Sequence, residues 1–228
     1  MAALIIVLAL VVGLAVLPQL WVRRVIDAHS ADRPDFPGTG GELARHLLDE
    51  MKLGHVKVEE TDLGDHYDPD AKAVRLLPKH LNGRSLSAVV IAAHETGHAM
   101  QDAAGYPPLA ARTRLAKQAL RMEKVAAVVM LAAPIVMALA KAPHVLVIEV
   151  LVGVMIFALS ILLHAVTLPV EIDASFGRAL PLLQSGRYLD DKDTPAAKRI
   201  LRAAAFTYVA AAAMSILDVA RWLRVLRL

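Results

Sequence analysis

The sequence predicts a mainly α-helical membrane protein: about four transmembrane helices, with a small α+β domain between the first and the second. Three observations carry this. Hydrophobic residues make up 57% of the 228 and mean hydropathy is +0.50, more apolar residue than a soluble domain of this length needs. The excess is gathered into long runs almost free of charge. The stretch between the first two runs has the mixed polar composition of an ordinary globular domain.

The elements follow in chain order. Ala2 to Leu20 carries no charge and, at roughly 19 residues, can just cross a bilayer. A cleaved leader would need a basic segment before this run and a small-residue cleavage site after it, and neither is present. Segment 1–22 is therefore read as a retained first span, ended by Arg23 and Arg24. Segment 23–123 is the extramembrane domain. In it, Asp27 to Gly40 reads as a linker and Glu42 to Met51 as a helix with Leu43, Leu47 and Leu48 on one face. Val56–Val58 and Ala73–Leu76 read as the strands of a hairpin, with turn chemistry over Asp65–Asp70 between them. Ser85 or Ser87 can cap a helix from Leu86 to about Ala104, which Gly105 and Pro107-Pro108 stop. Segment 124–170 holds the second span, Val125–Ala140 with Pro134 inside it, a short connection, and the third span, Val145–Val170. Segment 171–199 is a loop. Segment 200–228 holds an Ala-rich fourth helix, transmembrane or interfacial, followed by Arg221, Arg224 and Arg227.

Charge orients the chain. Arg112, Arg114, Lys117, Arg121 and Lys124 lie just before the second span, whereas the short connection holds Lys141 alone. Positive residues favour the inside, so a multi-pass cell-membrane protein with segment 23–123 facing the cytoplasm is expected. Four complete spans would leave the C-terminal arginines outside, so whether the last helix spans stays open. The chain has no cysteine, which excludes disulfides and thiolate metal sites. Aromatics are 4% and no basic patch is interleaved with them, so no nucleic-acid partner is expected.

The chemistry is concentrated in His94-Glu95-Thr96-Gly97-His98. Histidines four apart on a helix put both rings on one face, suited to one zinc ion. Glu95, beside the first ligand, is placed to take a proton from a metal-bound water and return it to a leaving amine. From ordinary residue frequencies, chance would produce the pattern in roughly one chain in a hundred of this length. A catalytic zinc needs a third protein ligand. Two crossings return the chain to the same side at residue 171, where Glu171 is the first acidic residue and Asp173 its rival. His66 is a further candidate, as ligand or transition-state donor, against the plainer reading of a turn residue with local hydrogen bonds. Tyr208 could donate to an oxyanion, or anchor a helix at the membrane interface. His164, Glu149 and Asp218 are ionisable groups in or beside apolar segments and so are functional suspects.

Several segments together resemble the YugP-like family of membrane zinc metallopeptidases. They are Asp65-His66-Tyr67-Asp68-Pro69, Asn82-Gly83-Arg84-Ser85-Leu86, Ala92–Gln101 around the histidine motif, Leu168–Ser175, and Thr207-Tyr208-Val209-Ala210. The resemblance covers nearly the whole chain with the motifs in order. It implies a neutral, multi-pass zinc peptidase with a zincin-like α+β domain, His94, His98 and Glu171 as ligands, and Glu95 as base. In the wider group, an aspartate four residues after the third ligand orients a ligand histidine. Here that position is Ser175, so Asp173 or an acidic residue of the 65–70 turn is expected to do the orienting. The expected activity is zinc-dependent hydrolysis of peptide bonds at the cytoplasmic membrane surface, with Zn2+ as cofactor and a peptide or protein substrate. The alternatives are an intramembrane-cleaving protease and a non-catalytic membrane adaptor with a retained structural metal. Substrate identity and oligomeric state leave no trace in the sequence.

Overall fold

The computed structural model describes residues 2–140 and 144–206. It is mostly helical with one small sheet. Helices α1 (Ala2–Asp27) and α2 (Gly40–Glu50) come first. Strands β1 (Lys57–Glu60), β2 (His66–Asp68) and β3 (Ala73–Leu76) follow. Then come the short α3 (Pro78–Leu81), α4 (Leu86–Ala103), and the long α5 (Pro107–Ala140) and α6 (His144–Ile172). A π-helical turn (Asp173–Ala179) leads into α7 (Leu180–Ser185), and residues 194–206 are helical. The fourth helix expected over 200–228 falls mostly outside the described residues, as do Tyr208 and Asp218.

Local chemistry sets the ends of α2 and α4. Thr39 caps α2 reciprocally: its hydroxyl accepts from the Glu42 amide at 3.2 Å and its own amide donates to Glu42 Oε2 at 2.8 Å, which satisfies two amides that a helix start leaves open. Ser85 Oγ accepts from the Ala88 amide at 3.1 Å to start α4. At the other end Gly105 takes φ +61°, a conformation a Cβ would disfavour, and the Tyr106 amide returns to Gln101 O at 2.9 Å. Helix α4 is the centre of the domain. Ala44, Leu47 and Leu48 of α2 and Ala73, Val74 and Leu76 of β3 are fully buried in the core around it. That is why α4 is apolar from Ala88 to Ala93 without being a span.

The expected hairpin is corrected. Segments 57–60 and 73–76 do pair, but in parallel, Lys57 opposite Ala73 and Leu76 opposite Glu60. The antiparallel partner of β3 is β2, His66 opposite Arg75, in a sheet ordered β1-β3-β2. The reversal lies later than Asp65, after Asp68, whose Oδ1 accepts from the amides of Asp70 and Ala71 at 2.9 and 3.0 Å. Period-2 alternation identifies a strand but carries no direction, and the acidic Asp65–Asp70 run hides a three-residue strand inside turn chemistry.

Helices α5 and α6 pack against each other. Among the described residues one stretch, Val150–Ser185, is long and apolar enough to cross a membrane, with mean hydropathy 2.5 in its best window and 6% of that window buried. A helix in the core of a soluble domain would be covered. Here Val147, Leu151, Val154 and Ile161 of α6 and Val128 and Leu131 of α5 are all more than half exposed. Gly97 brings the end of α6 to α4: a Cβ there would lie 2.7 Å from Ala174 O, so the π-turn and α4 pack backbone to backbone.

Candidate metal centre

Helix α4 presents His94, Glu95 and His98, and the last turn of α6 presents Glu171 against them. The four are 4%, 6%, 4% and 1% exposed, so each polar atom needs a partner within the protein or a ligand. His94 Nε2 lies 3.2 Å and His98 Nε2 3.3 Å from the same oxygen, Glu171 Oε2. The two rings stand edge to face with centroids 4.8 Å apart.

The surrounding hydrogen bonds fix the tautomers. Gln101 Nε2 is 2.8 Å from Val170 O and 2.8 Å from Asp173 Oδ2. Both accept, so the amide NH2 points at them and Gln101 Oε1 faces His98 Nδ1 at 2.9 Å. His98 therefore carries its proton on Nδ1. On the other side, Ser175 Oγ donates to Leu201 O at 3.3 Å and accepts from His94 Nδ1 at 3.0 Å. In their neutral forms both histidines thus turn an Nε2 lone pair toward a carboxylate oxygen. Three electron-pair donors converge with no proton to share, an arrangement that becomes attractive around a cation. Glu171 Oε1 is likewise buried and accepts no hydrogen bond among the described residues. The ligand atoms of His94, His98 and Glu171 lie within 4.8 Å of one another. Two imidazoles and one carboxylate open to a cavity form the donor set of a catalytic zinc site, so the residues fit the metal.

That cavity holds about 280 Å³. The ligands and Glu95 line it together with Gly64–Tyr67, the lead-in to β2 and its start. Burial pushes the Glu95 carboxyl up to about 7; the neighbouring His94 opposes this, and the Glu171 charge adds to it.

The other expected residues are placed as follows. Asp173 is not at the ligand atoms: it accepts from Gln101 and, at 2.8 Å, from Arg178 Nε, so it touches His98 through Gln101. His66 lines the cavity, with Nδ1 donating to Gly64 O at 2.8 Å. His164 lies within α6, its Nδ1 buried without a hydrogen bond among the described residues. Two residues escaped the sequence reading. Gln101 is three positions after His98, on the same helix face, and that spacing could have singled it out. Arg112, read in the sequence only as one of the basic residues before the second span, lines the metal cavity, with Nη2 3.9 Å from Glu171 Oε1. The reason is Leu109, one turn earlier and buried at 3% exposure, which turns this face of α5 inward.

Losing an outer hydrogen bond to a ligand typically lowers metal affinity by roughly 10–100-fold. Gln101→Leu and Ser175→Ala are each expected to weaken zinc by that factor, measured by competition with a chromogenic chelator.

A family model described as "Putative neutral zinc metallopeptidase" matches residues 3–227. The "Putative membrane protease YugP" of Bacillus subtilis (strain 168) is 32% identical over 215 residues, covering 93% of this chain and 92% of that protein. No solved structure matches the chain. With a family pattern running almost end to end and a zinc-type donor set at its centre, the chain belongs to the neutral zinc metallopeptidase family.

Proposed function

We propose that this protein is a membrane-bound zinc-dependent endopeptidase. The observation that carries the reading is the convergence of two Nε2 lone pairs and a buried carboxylate on one point, with Glu95 in the same cavity. Zinc held by His94, His98 and Glu171 would supply a Lewis acid that lowers the pKa of water toward about 7. Glu95 then takes the proton of the attacking water and passes it to the departing amine. Burial, which favours its protonated form, helps it hold the proton between those transfers. Strand β2, at the edge of the sheet beside the cavity, offers backbone groups to an extended peptide substrate.

A multi-pass arrangement explains why α5 and α6 leave their apolar side chains uncovered. Such surface is stable against lipid and costly against water. The active site would then sit at the membrane surface, where α6 ends, and the basic residues of α5 favour the cytoplasmic side. An intramembrane site is disfavoured because α4 is covered by its own domain rather than by lipid. A structural metal in a non-catalytic adaptor would have no use for Glu95.

The test is purification in detergent with zinc analysis and casein cleavage. About one zinc per chain is expected, with cleavage stopped by 1,10-phenanthroline and restored by added zinc. Zinc-loaded protein that cleaves neither casein nor short peptides would favour the adaptor. Orientation is testable because the chain has no cysteine: a single cysteine at Leu63, 90% exposed, should react with an impermeant maleimide only after cells are opened.

A further inference from the structure

We infer that Ile26, Ile91 and Ala204 form a subsite that selects the side chain beside the scissile bond, and that it takes an aliphatic one. This rests on the peptidase reading above and gives that activity a substrate class: extended segments with leucine, isoleucine, valine or methionine at one fixed position next to the cut. All three residues line the metal cavity. They come from three different helices, α1, α4 and the helix over 194–206.

Contacts around His94 gather the three on one side of the metal centre. Ile91 precedes His94 by three positions, so the two share a face of α4. Ser175, whose hydroxyl touches His94, also donates to Leu201 O at 3.3 Å, and Ala204 is three positions beyond Leu201 on its helix. The start of α4 is tied to the chain just after α1: the Ser87 amide and hydroxyl both donate to His29 O at 3.1 Å. Ile26 comes three positions before His29 and Ile91 four after Ser87, so each lies about one turn from that tie. Helix α1 in turn meets the last described helix through Trp21 and Phe206, edge to face with centroids 6.4 Å apart. Val22, Val25, Ala203 and Ala205 are buried beside them, which fixes the wall before any substrate arrives. None of the three side chains can donate or accept a hydrogen bond. A polar substrate side chain pressed against them would give up water for nothing, whereas an aliphatic one gains by burial. The charged lining residues Asp65 and Arg112 come from other elements, the lead-in to β2 and α5. The cavity of about 280 Å³ must also take a metal, a water and the peptide carbonyl, so what remains suits an aliphatic side chain better than an indole.

The full-length protein in detergent, loaded with zinc, is the material for the test. Cut sites in casein are mapped by mass spectrometry, and the position richest in aliphatic residues is then varied in internally quenched peptides that differ only there. The leucine peptide should exceed the alanine, asparagine and lysine peptides in kcat/KM by at least about 10-fold, the lower end of what a single methylene is worth in an apolar pocket. Ala204→Leu fills the subsite and should cut the leucine-to-alanine ratio by about that factor while still cleaving the alanine peptide. Ile26→Ala enlarges it and should move the preference from leucine toward phenylalanine. Because the ratio is read within one preparation, the fraction of active enzyme cancels. Should either variant lose zinc, Ala204→Val and Ile26→Val are read the same way. Cut sites with no aliphatic enrichment, or enriched in charged residues, would overturn the subsite and leave the peptidase reading intact. So would a leucine preference that neither substitution shifts. Zinc-loaded wild type that cleaves neither casein nor any of the peptides would bring down the peptidase reading itself.

Discussion

Glu95→Gln is expected to hold zinc as the wild type does and to hydrolyse peptides roughly 10²–10⁴-fold more slowly, the range lost with a general base. Glutamine matches the shape of glutamate and leaves His94, His98 and Glu171 in place, but cannot take a proton. Zinc analysis and steady-state cleavage on one preparation check both halves; a variant that keeps full activity would remove Glu95 from the chemistry. The same substitution has an effect without metal. In the fold the Glu95 carboxyl is pushed up from 4.5 to about 7. The folded protein keeps its proton through that window while the unfolded chain gives it up. The stability tied to Glu95 is therefore complete below pH 4.5 and lost as pH rises through 7. Metal-free Glu95→Gln escapes that loss. It should be more stable than metal-free wild type by about 3 kcal/mol at pH 8, with the gap closing as the pH is lowered toward 4.5. Denaturant melts at the two pH values measure this directly.

Glu171→Ala should abolish zinc retention. Two imidazoles remain, and the loss of a direct ligand exceeds the roughly 10–100-fold cost of losing an outer hydrogen bond. Asp173→Asn is the matching control. Asp173 accepts from Gln101 and Arg178 but lies away from the ligand atoms, so this variant should keep zinc with an affinity loss no larger than that of Gln101→Leu. Elemental analysis after dialysis against a weak chelator separates the two cases. Zinc lost from Asp173→Asn and kept by Glu171→Ala would exchange their roles.

The parts of the site legible in the sequence are those fixed by short spacing. His94, Glu95 and His98 share one helix face because four residues make about one turn, and no tertiary information is needed. Glu171 required one further step, the return of the chain after two long apolar helices. Beyond that the sequence is silent, because the deciding contacts join residues far apart. Ser175 reaches His94 across 81 positions and Gln101 reaches Val170 across 69. Ser175 departs from the wider group's pattern, yet its hydroxyl contacts His94, one of the two ligand histidines. Arg112 did not stand out because its neighbours are basic, and composition averages over a helix face that Leu109 turns inward. In the sheet, residue alternation located β1 and β3 but could not give their relative direction, and β2 was too short to stand out from the turn residues around it.

The ligand set is split in chain order, with Glu171 73 residues after His98 and all of α5 and most of α6 between them. During synthesis the ribosome releases both histidines and the base long before it releases the carboxylate that completes the site. A chain interrupted anywhere in α5 lacks the third member of the ligand group, and so does a fragment cut to the domain of residues 23–123. A nascent chain therefore cannot offer a metal the full ligand set until nearly all of α6 has been made.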